Sequence, residues 1–323
     1  MNKQIRQVHF QITRNCNLRC AFCGQWGKKG FFADSQGEEM SLEDWQRVTD
    51  ELKRYREKTG ISPVITVWGG EPLVSPFFDD IMHMLKADGF TTEIVTNGVL
   101  LDEHEDTVSS CVDTVYVSID GTRAVHDAIR GEGVYDKVTD NIKRLKHKNV
   151  IVMSVITPEL LSVLDEFLKE LDTLGIRQLY LQNMIGLTGD EIAEYKAWIK
   201  SEFGIDAMDI LSWENNEKIN FDREIKAFLD SIAPDRYSYS IEHKAHTTDS
   251  NIHCKSPFNH MHITWNANVL FCTDFYDFKA GNVKDDTVED IFFGETSDKY
   301  RDEIINGRCA TCNHCSWRTK DNF

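Results

Sequence analysis

Short β-branched apolar runs alternate along the first half of the chain with longer stretches in which apolar residues recur every three or four positions. The runs at 8–13, 64–68, 92–96, 114–119, 150–156 and 178–182 predict strands. Helices are predicted over 41–56, 77–87, near 102–110, over 135–146 and over 159–174, the first with Ser41 as N-cap and Asp44 in its first turn. Strands joined by helices imply a parallel sheet, because parallel neighbours need a crossover between them. Six such units, lacking the last helix, predict an α/β fold: a partial (β/α)6 TIM-like barrel, or an open doubly wound sheet, which the same pattern permits. In either arrangement chemistry collects at the C-terminal strand ends. Cys16, the run Gly69-Gly70-Glu71-Pro72, Asn97-Gly98 and Ser118-Ile119-Asp120 all stand just past a strand end.

The alternation stops near Met184. Residues 184–250 contain helical patterns at 190–203 and 221–232 and no strand signal, so a helical insert or linker lying over one face of the barrel is expected. After Cys254, short apolar runs at 262–265 and 269–271 flank Asn266-Ala267-Asn268, the signature of a hairpin. The predicted division is 1–183 for the partial barrel, 184–250 for the insert, and 251–323 for a small β-rich unit.

Composition narrows the function classes. The net charge of −17 over 323 residues argues against a partner that presents a phosphate backbone. No apolar run reaches the ~18 residues of a membrane span. The first residues lack the apolar segment of a secretory signal, so a cytoplasmic location is expected. Nine cysteines matter more, because eight of them cluster: Cys16, Cys20 and Cys23 early, then Cys254, Cys272, Cys309, Cys312 and Cys315. In a reducing compartment such groups favour metal or redox work over disulfides. Cys111 stands alone and reads as a buried thiol.

Three soft thiolates in one tight loop suit iron and would leave one iron of a four-iron cluster open. A structural zinc knuckle would need a fourth ligand in the loop, and none stands there; His9 reads as a strand-face residue. The spacing Cys16-x-x-x-Cys20-x-x-Cys23 after the first strand, followed by Gly-Gly-Glu-Pro after the second, resembles the radical S-adenosylmethionine superfamily over residues 7–183. That resemblance implies a 4Fe–4S cluster on Cys16, Cys20 and Cys23, with S-adenosylmethionine on its open iron. Reductive cleavage would then give a 5′-deoxyadenosyl radical that abstracts hydrogen from a substrate. It also implies cofactor-binding roles for Phe22, Gly69, Gly70, Glu71, Asn97 and Ser118, with Asp120 a weaker match. Ser154 and Asn183 line the cavity or fill the barrel. Arg123, His126 and Arg130 read as loop-structuring groups, although His126 is also a possible base.

The late cysteines resemble a SPASM or Twitch extension, which implies one auxiliary 4Fe–4S cluster on four of Cys254, Cys272, Cys309, Cys312 and Cys315. Cys254, Cys272, Cys309 and Cys312 match best, and Cys315 could replace either of the last two. A four-cysteine zinc site is the alternative. His253, His260 and His314 read as surface or hairpin residues. Two clusters imply a net oxidation, with a small polar, sugar- or alcohol-like substrate expected first, and crosslinking, epimerisation or side-chain oxidation of a ribosomally made peptide second. No extra recognition domain is expected ahead of the first strand, which weighs against the peptide. Trp198, Trp213, Tyr237 and Tyr239 are candidates for a substrate wall. A flavodoxin or ferredoxin is the expected electron donor. A non-catalytic iron–sulfur or zinc protein is the rival from another class, and it has no use for Gly-Gly-Glu-Pro.

Overall fold

The computed structural model describes residues 2–32, 37–145, 149–215, 220–233, 235–245, 254–309, 311–312 and 315. Its core is a parallel run of β1 (Gln7–Thr13), β2 (Val64–Gly69), β3 (Thr91–Thr96), β4 (Thr114–Ser118), β5 (Val150–Ile156), β6 (Gln178–Asn183) and β7 (Ser240–Lys244). Each strand pairs with its sequence neighbour, in the order expected of a barrel arc and not of a doubly wound sheet. The arc is not closed.

Helices cover the outside. Leu42–Thr59 starts at a capping box in which Ser41 and Asp44 satisfy each other's backbone N–H groups, and stops at Gly60, whose φ of 74° is easy only for glycine. Its Trp45 packs on Phe10 of β1 with ring centroids 4.7 Å apart. The alternate residues of β1 point inward: Gln11 donates to the Tyr276 hydroxyl at 2.9 Å, and His9 lies against His262.

The structure departs from expectation in four places. The stretch 184–250 does contain a strand: β7 pairs in parallel with β6, from Gln178↔Ser240 to Gln182↔Lys244. Its sequence, Ser-Ile-Glu-His-Lys, carries too few apolar residues to signal a strand, because this edge is half exposed. The C-terminal hairpin, β8 (His260–Ile263) and β9 (Asn268–Leu270), is not a separate sheet, since β8 pairs in parallel with β1. With the two-residue β10 (Gly281–Asn282), one ten-stranded sheet results, in the order β10-β9-β8-β1-β2-β3-β4-β5-β6-β7. The segment carrying Arg123, His126 and Arg130 is a helix, Arg123–Arg130, and not a loop. The helix expected over 159–174 breaks at Val163 (φ −119°) into Pro158–Ser162 and Leu164–Leu171. Among the described residues no helix is long and apolar enough to cross a membrane.

Three histidines meet at the β8–β1 junction, with His260 and His262 buried. His9 and His262 meet edge to face at 4.4 Å, and His260 lies 5.9 Å from His9. Burial pulls His9 down to about 3, with His260 adding to the effect, and takes His260 itself to about 4. All are therefore neutral in the folded protein at pH 7, whereas in the unfolded chain each takes a proton near pH ~6.5. The unfolded state binds more protons below that pH, so stability holds above about 6.5 and falls as the pH drops towards about 4. Thermal melting across this window should show the fall, and His9→Gln should make it shallower. An unchanged slope in that variant would contradict the assignment.

Candidate functional site

At the C-terminal ends of β1–β6 lies a cavity of about 290 Å³. Cys16, Cys20, Cys23, Phe22, Gly69, Gly70, Glu71, Asn97 and Ser118 all line it, whereas Pro72 and Asp120 do not. Asn183 at the end of β6 also reaches it. Ser154 does not; it is buried and donates to the Ile119 carbonyl between β5 and β4.

Glu71 ties the top of the sheet together. Its carboxylate is fully buried and accepts from the Thr96 hydroxyl (2.7 Å), the Asn97 N–H (2.6 Å) and the Leu73 N–H (3.2 Å). Burial pushes its pKa up to about 7 against the pull of those donors. The side chain therefore joins the end of β2 to the end of β3. Beside it, a Cβ on Gly70 would stand 2.2 Å from the Asn15 carbonyl oxygen and 2.4 Å from that of Arg14. The Gly-Gly pair thus lets β2 press on the backbone that opens the cysteine loop, where Gly70 N–H donates to Thr13 and Glu71 N–H to Asn15. Asn97 completes the tie by donating to the Asn17 side chain at 2.7 Å.

Each sulfur of the loop faces a donor. Leu18 N–H lies 3.4 Å from Cys16 Sγ, Trp26 N–H 3.3 Å from Cys23 Sγ, and Arg130 Nη1 3.8 Å from Cys20 Sγ. Burial, with Glu71, Cys20 and Cys23 adding to it, pushes the Cys16 thiol up to about 11. Crowded, partly buried thiols that already receive N–H donors fit a bound iron–sulfur group, which would take them as thiolates. Among the described residues no three His, Cys, Asp or Glu side chains are drawn tightly enough for a single metal ion, so the fit rests on the donor set and where it faces.

Arg130, read from the sequence as a loop-structuring group, instead lines the cavity. Its Nε donates to Asp120 at 2.6 Å, and the other oxygen of Asp120 accepts from Val155 N–H at 2.8 Å. The helix Arg123–Arg130 thereby places a buried cation in the cavity wall. Asp120 is its counter-ion. His126 accepts from the Asp120 N–H at 3.1 Å, and burial lowers it to about 4, so it is a neutral brace.

The rest of the wall comes from the C-terminal half. Thr273 and Asp274, directly after Cys272, line the same cavity together with Trp213. Trp198 instead donates to Glu303 at 3.0 Å, and Tyr239 to the Leu168 carbonyl at 2.8 Å, so both are packing residues. Behind this wall the late cysteines converge. Burial, then Asp274, Cys315 and Cys254, raise the Cys272 thiol, and Cys309, Cys254 and Cys272 all bear on Cys312. Cys309 Sγ also stands 3.1 Å from the Thr311 hydroxyl. His260 is buried at the β8–β1 junction, while His253 and His314 lie outside the described residues.

Comparison with known proteins agrees with this geometry. The radical SAM superfamily model matches residues 10–171, and the SPASM iron–sulfur cluster-binding domain matches residues 254–316. The cofactor-modifying protein for tungsten-containing aldehyde ferredoxin oxidoreductase of Pyrococcus furiosus is 28% identical over 200 residues, covering 58% of this chain and 54% of that protein. The mycofactocin maturase MftC of Mycobacterium tuberculosis is 30% identical over 165 residues, covering 49% of this chain and 39% of the maturase. The chain thus spans about half the length, or less, of these relatives. In fold it is similar to Streptococcus suis SuiB bound to S-adenosylmethionine, with a TM-score of 0.69 at 14% identity over 97% of this chain and 72% of that one.

Two substitutions test the tie. Glu71→Gln sets an amide donor against at least one buried donor and should cost about 1–3 kcal/mol, read as a lowered melting temperature. Gly70→Ala should displace residues 14–15 and sharply reduce iron uptake by the early cysteines while the late ones still load. Wild-type melting and loading in both variants would contradict the tie.

Proposed function

Because the chain belongs to the radical SAM superfamily and carries its SPASM iron–sulfur domain, we propose that it is an enzyme that uses a radical to oxidise its substrate by two electrons. One observation carries this reading: the same cavity is lined by Cys16, Cys20 and Cys23 and by Thr273 and Asp274, which follow Cys272. Cys16, Cys20 and Cys23 would hold one 4Fe–4S cluster, and four of Cys254, Cys272, Cys309, Cys312 and Cys315 a second. Phe22, Gly69, Gly70, Glu71, Asn97 and Ser118 would surround S-adenosylmethionine. When bound, these groups supply reductive carbon–sulfur cleavage, hydrogen abstraction and an electron acceptor.

The protein's own share is positioning and exclusion of water. Arg130 offers a buried guanidinium to anionic groups in the cavity. Glu71 and Asn97 hold the strand ends in register. Trp213, whose ring lies on Gly24, and Asp274 complete the cavity wall beside the cysteine loop.

A small polar substrate is supported by the inward face below the cavity. There Glu93 accepts from Thr66 at 2.9 Å, Tyr116 stacks on Tyr180, and Lys244 lies over the Tyr180 ring. The second reading, a ribosomally made peptide, is supported by the maturase among the relatives and by the similarity in fold to SuiB, also solved bound to its precursor peptide SuiA. A flavodoxin or ferredoxin would supply the electron.

Anaerobic reconstitution with iron and sulfide, then reductant and S-adenosylmethionine, tests the activity. The expected result is ~8 irons per chain for two four-iron clusters, with 5′-deoxyadenosine formed by wild type and lost in Cys16→Ala. Equal product from both proteins, or none from wild type at full iron, would overturn it. Arg130→Ala should keep its iron but need more S-adenosylmethionine for half-maximal cleavage.

A further inference from the structure

Trp213 bridges the two cysteine regions, although it belongs to neither. It ends the turn Asp209–Trp213, whose position is set from two directions. On the C-terminal side, the Asp277 carboxylate accepts from the N–H groups of Met208 (2.7 Å), Asp209 (2.9 Å) and Ile210 (3.1 Å), capping the start of the turn. On the barrel side, Leu187, just past β6, donates its N–H to the Trp213 carbonyl at 2.8 Å and accepts from Asn215 N–H at 2.9 Å.

The indole is then held at both ends. Its Nε1 donates to the Asp274 carbonyl at 2.6 Å, two residues after Cys272. Its six-membered ring lies on Gly24, the residue after Cys23, where a Cβ would stand 2.5 Å from two ring carbons. Such contact is cheap to relieve when a side-chain tip can swing away, but the N–H bond to Asp274 pins this ring. Gly24, Trp213 and Asp274 also line the one cavity.

We propose that Trp213 is a positioning residue that braces the Cys23–Gly24 end of the early cysteine loop against the loop after Cys272, and so sets the geometry in which S-adenosylmethionine is received. The inference rests on the reading that the early cysteines hold a cluster that binds S-adenosylmethionine. Thiol ligands shifted by a fraction of an ångström present the open position in the wrong place, and the loss appears in cofactor binding before it appears in folding.

The test uses the reconstituted full chain in four variants: Trp213→Phe, which keeps a ring and loses the N–H; Trp213→Ala; Gly24→Ala; and Gly24→Ala with Trp213→Ala. The readouts are iron content, melting temperature without iron, and the S-adenosylmethionine concentration that half-converts the electron paramagnetic resonance signal of the reduced protein. Trp213→Phe should keep full iron and require several-fold more S-adenosylmethionine. Gly24→Ala should require at least about tenfold more, the scale of a misplacement of under ~1 Å. Removing the ring should relieve the added methyl, so that the double variant melts and titrates like Trp213→Ala alone.

Full iron with a wild-type titration in both Trp213→Phe and Trp213→Ala would overturn the proposal. So would a Gly24→Ala defect of equal size with and without the ring. If Gly24→Ala fails to fold while the double variant folds, the ring occupies the space as proposed; if neither folds, the two Trp213 variants decide. A wild-type protein that loads iron at the early cysteines but gives no S-adenosylmethionine response overturns the functional reading instead, and this is distinguishable because it precedes any variant.

Discussion

One buried carboxylate organises the top of this molecule. Glu71 leaves water at the end of β2, and desolvation on that scale is tolerable only with hydrogen-bond donors around it. Thr96, Asn97 and Leu73 supply them. The same bonds fix where β3 ends relative to β2, while Gly70 lets the opening of the cysteine loop lie on the next backbone without a Cβ between them. The positions of Cys16, Cys20 and Cys23 therefore follow from a knot of backbone and carboxylate contacts among residues 13–17, 69–73 and 96–97, and any chemistry at those sulfurs inherits its geometry.

The second constraint is the continuity of the sheet. β8 adds to the free side of β1, in register from Gln7↔His260 to Phe10↔Ile263, and carries the hairpin and Cys272 with it. The strand opening the early cysteine loop and the hairpin before Cys272 thus share one hydrogen-bonded ladder. This explains how residues separated by about 250 positions come to wall one cavity. A C-terminal unit joined only by a linker would not hold Thr273 and Asp274 at a defined place in the cavity that Cys23 lines.

Much of this was legible in the chain. The six apolar runs became strands within a residue or two, because each strand buries β-branched and apolar residues on the face that packs under the helices. The early motifs gathered because strand ends of such a sheet meet in space. What escaped had weaker or non-local causes. β7 is half exposed and reads Ser-Ile-Glu-His-Lys, so no periodicity marked it. The β8–β1 pairing joins segments far apart, and nothing local announces it. Arg130 lay hidden in a helix whose polar residues look like a loop. Trp213 acts through contacts with Gly24 and Asp274 that only the folded chain brings together.

If Cys16, Cys20 and Cys23 leave one iron open to S-adenosylmethionine, as proposed, its amino and carboxylate groups lie within reach of the cluster spin. The most direct measurement is electron–nuclear double resonance on the reduced, reconstituted protein with S-adenosylmethionine carrying nitrogen-15 at the amino group and oxygen-17 in the carboxylate. Hyperfine coupling from both nuclei to the cluster spin is expected, abolished by Cys20→Ala. A fully loaded cluster that shows coupling to neither label would contradict it.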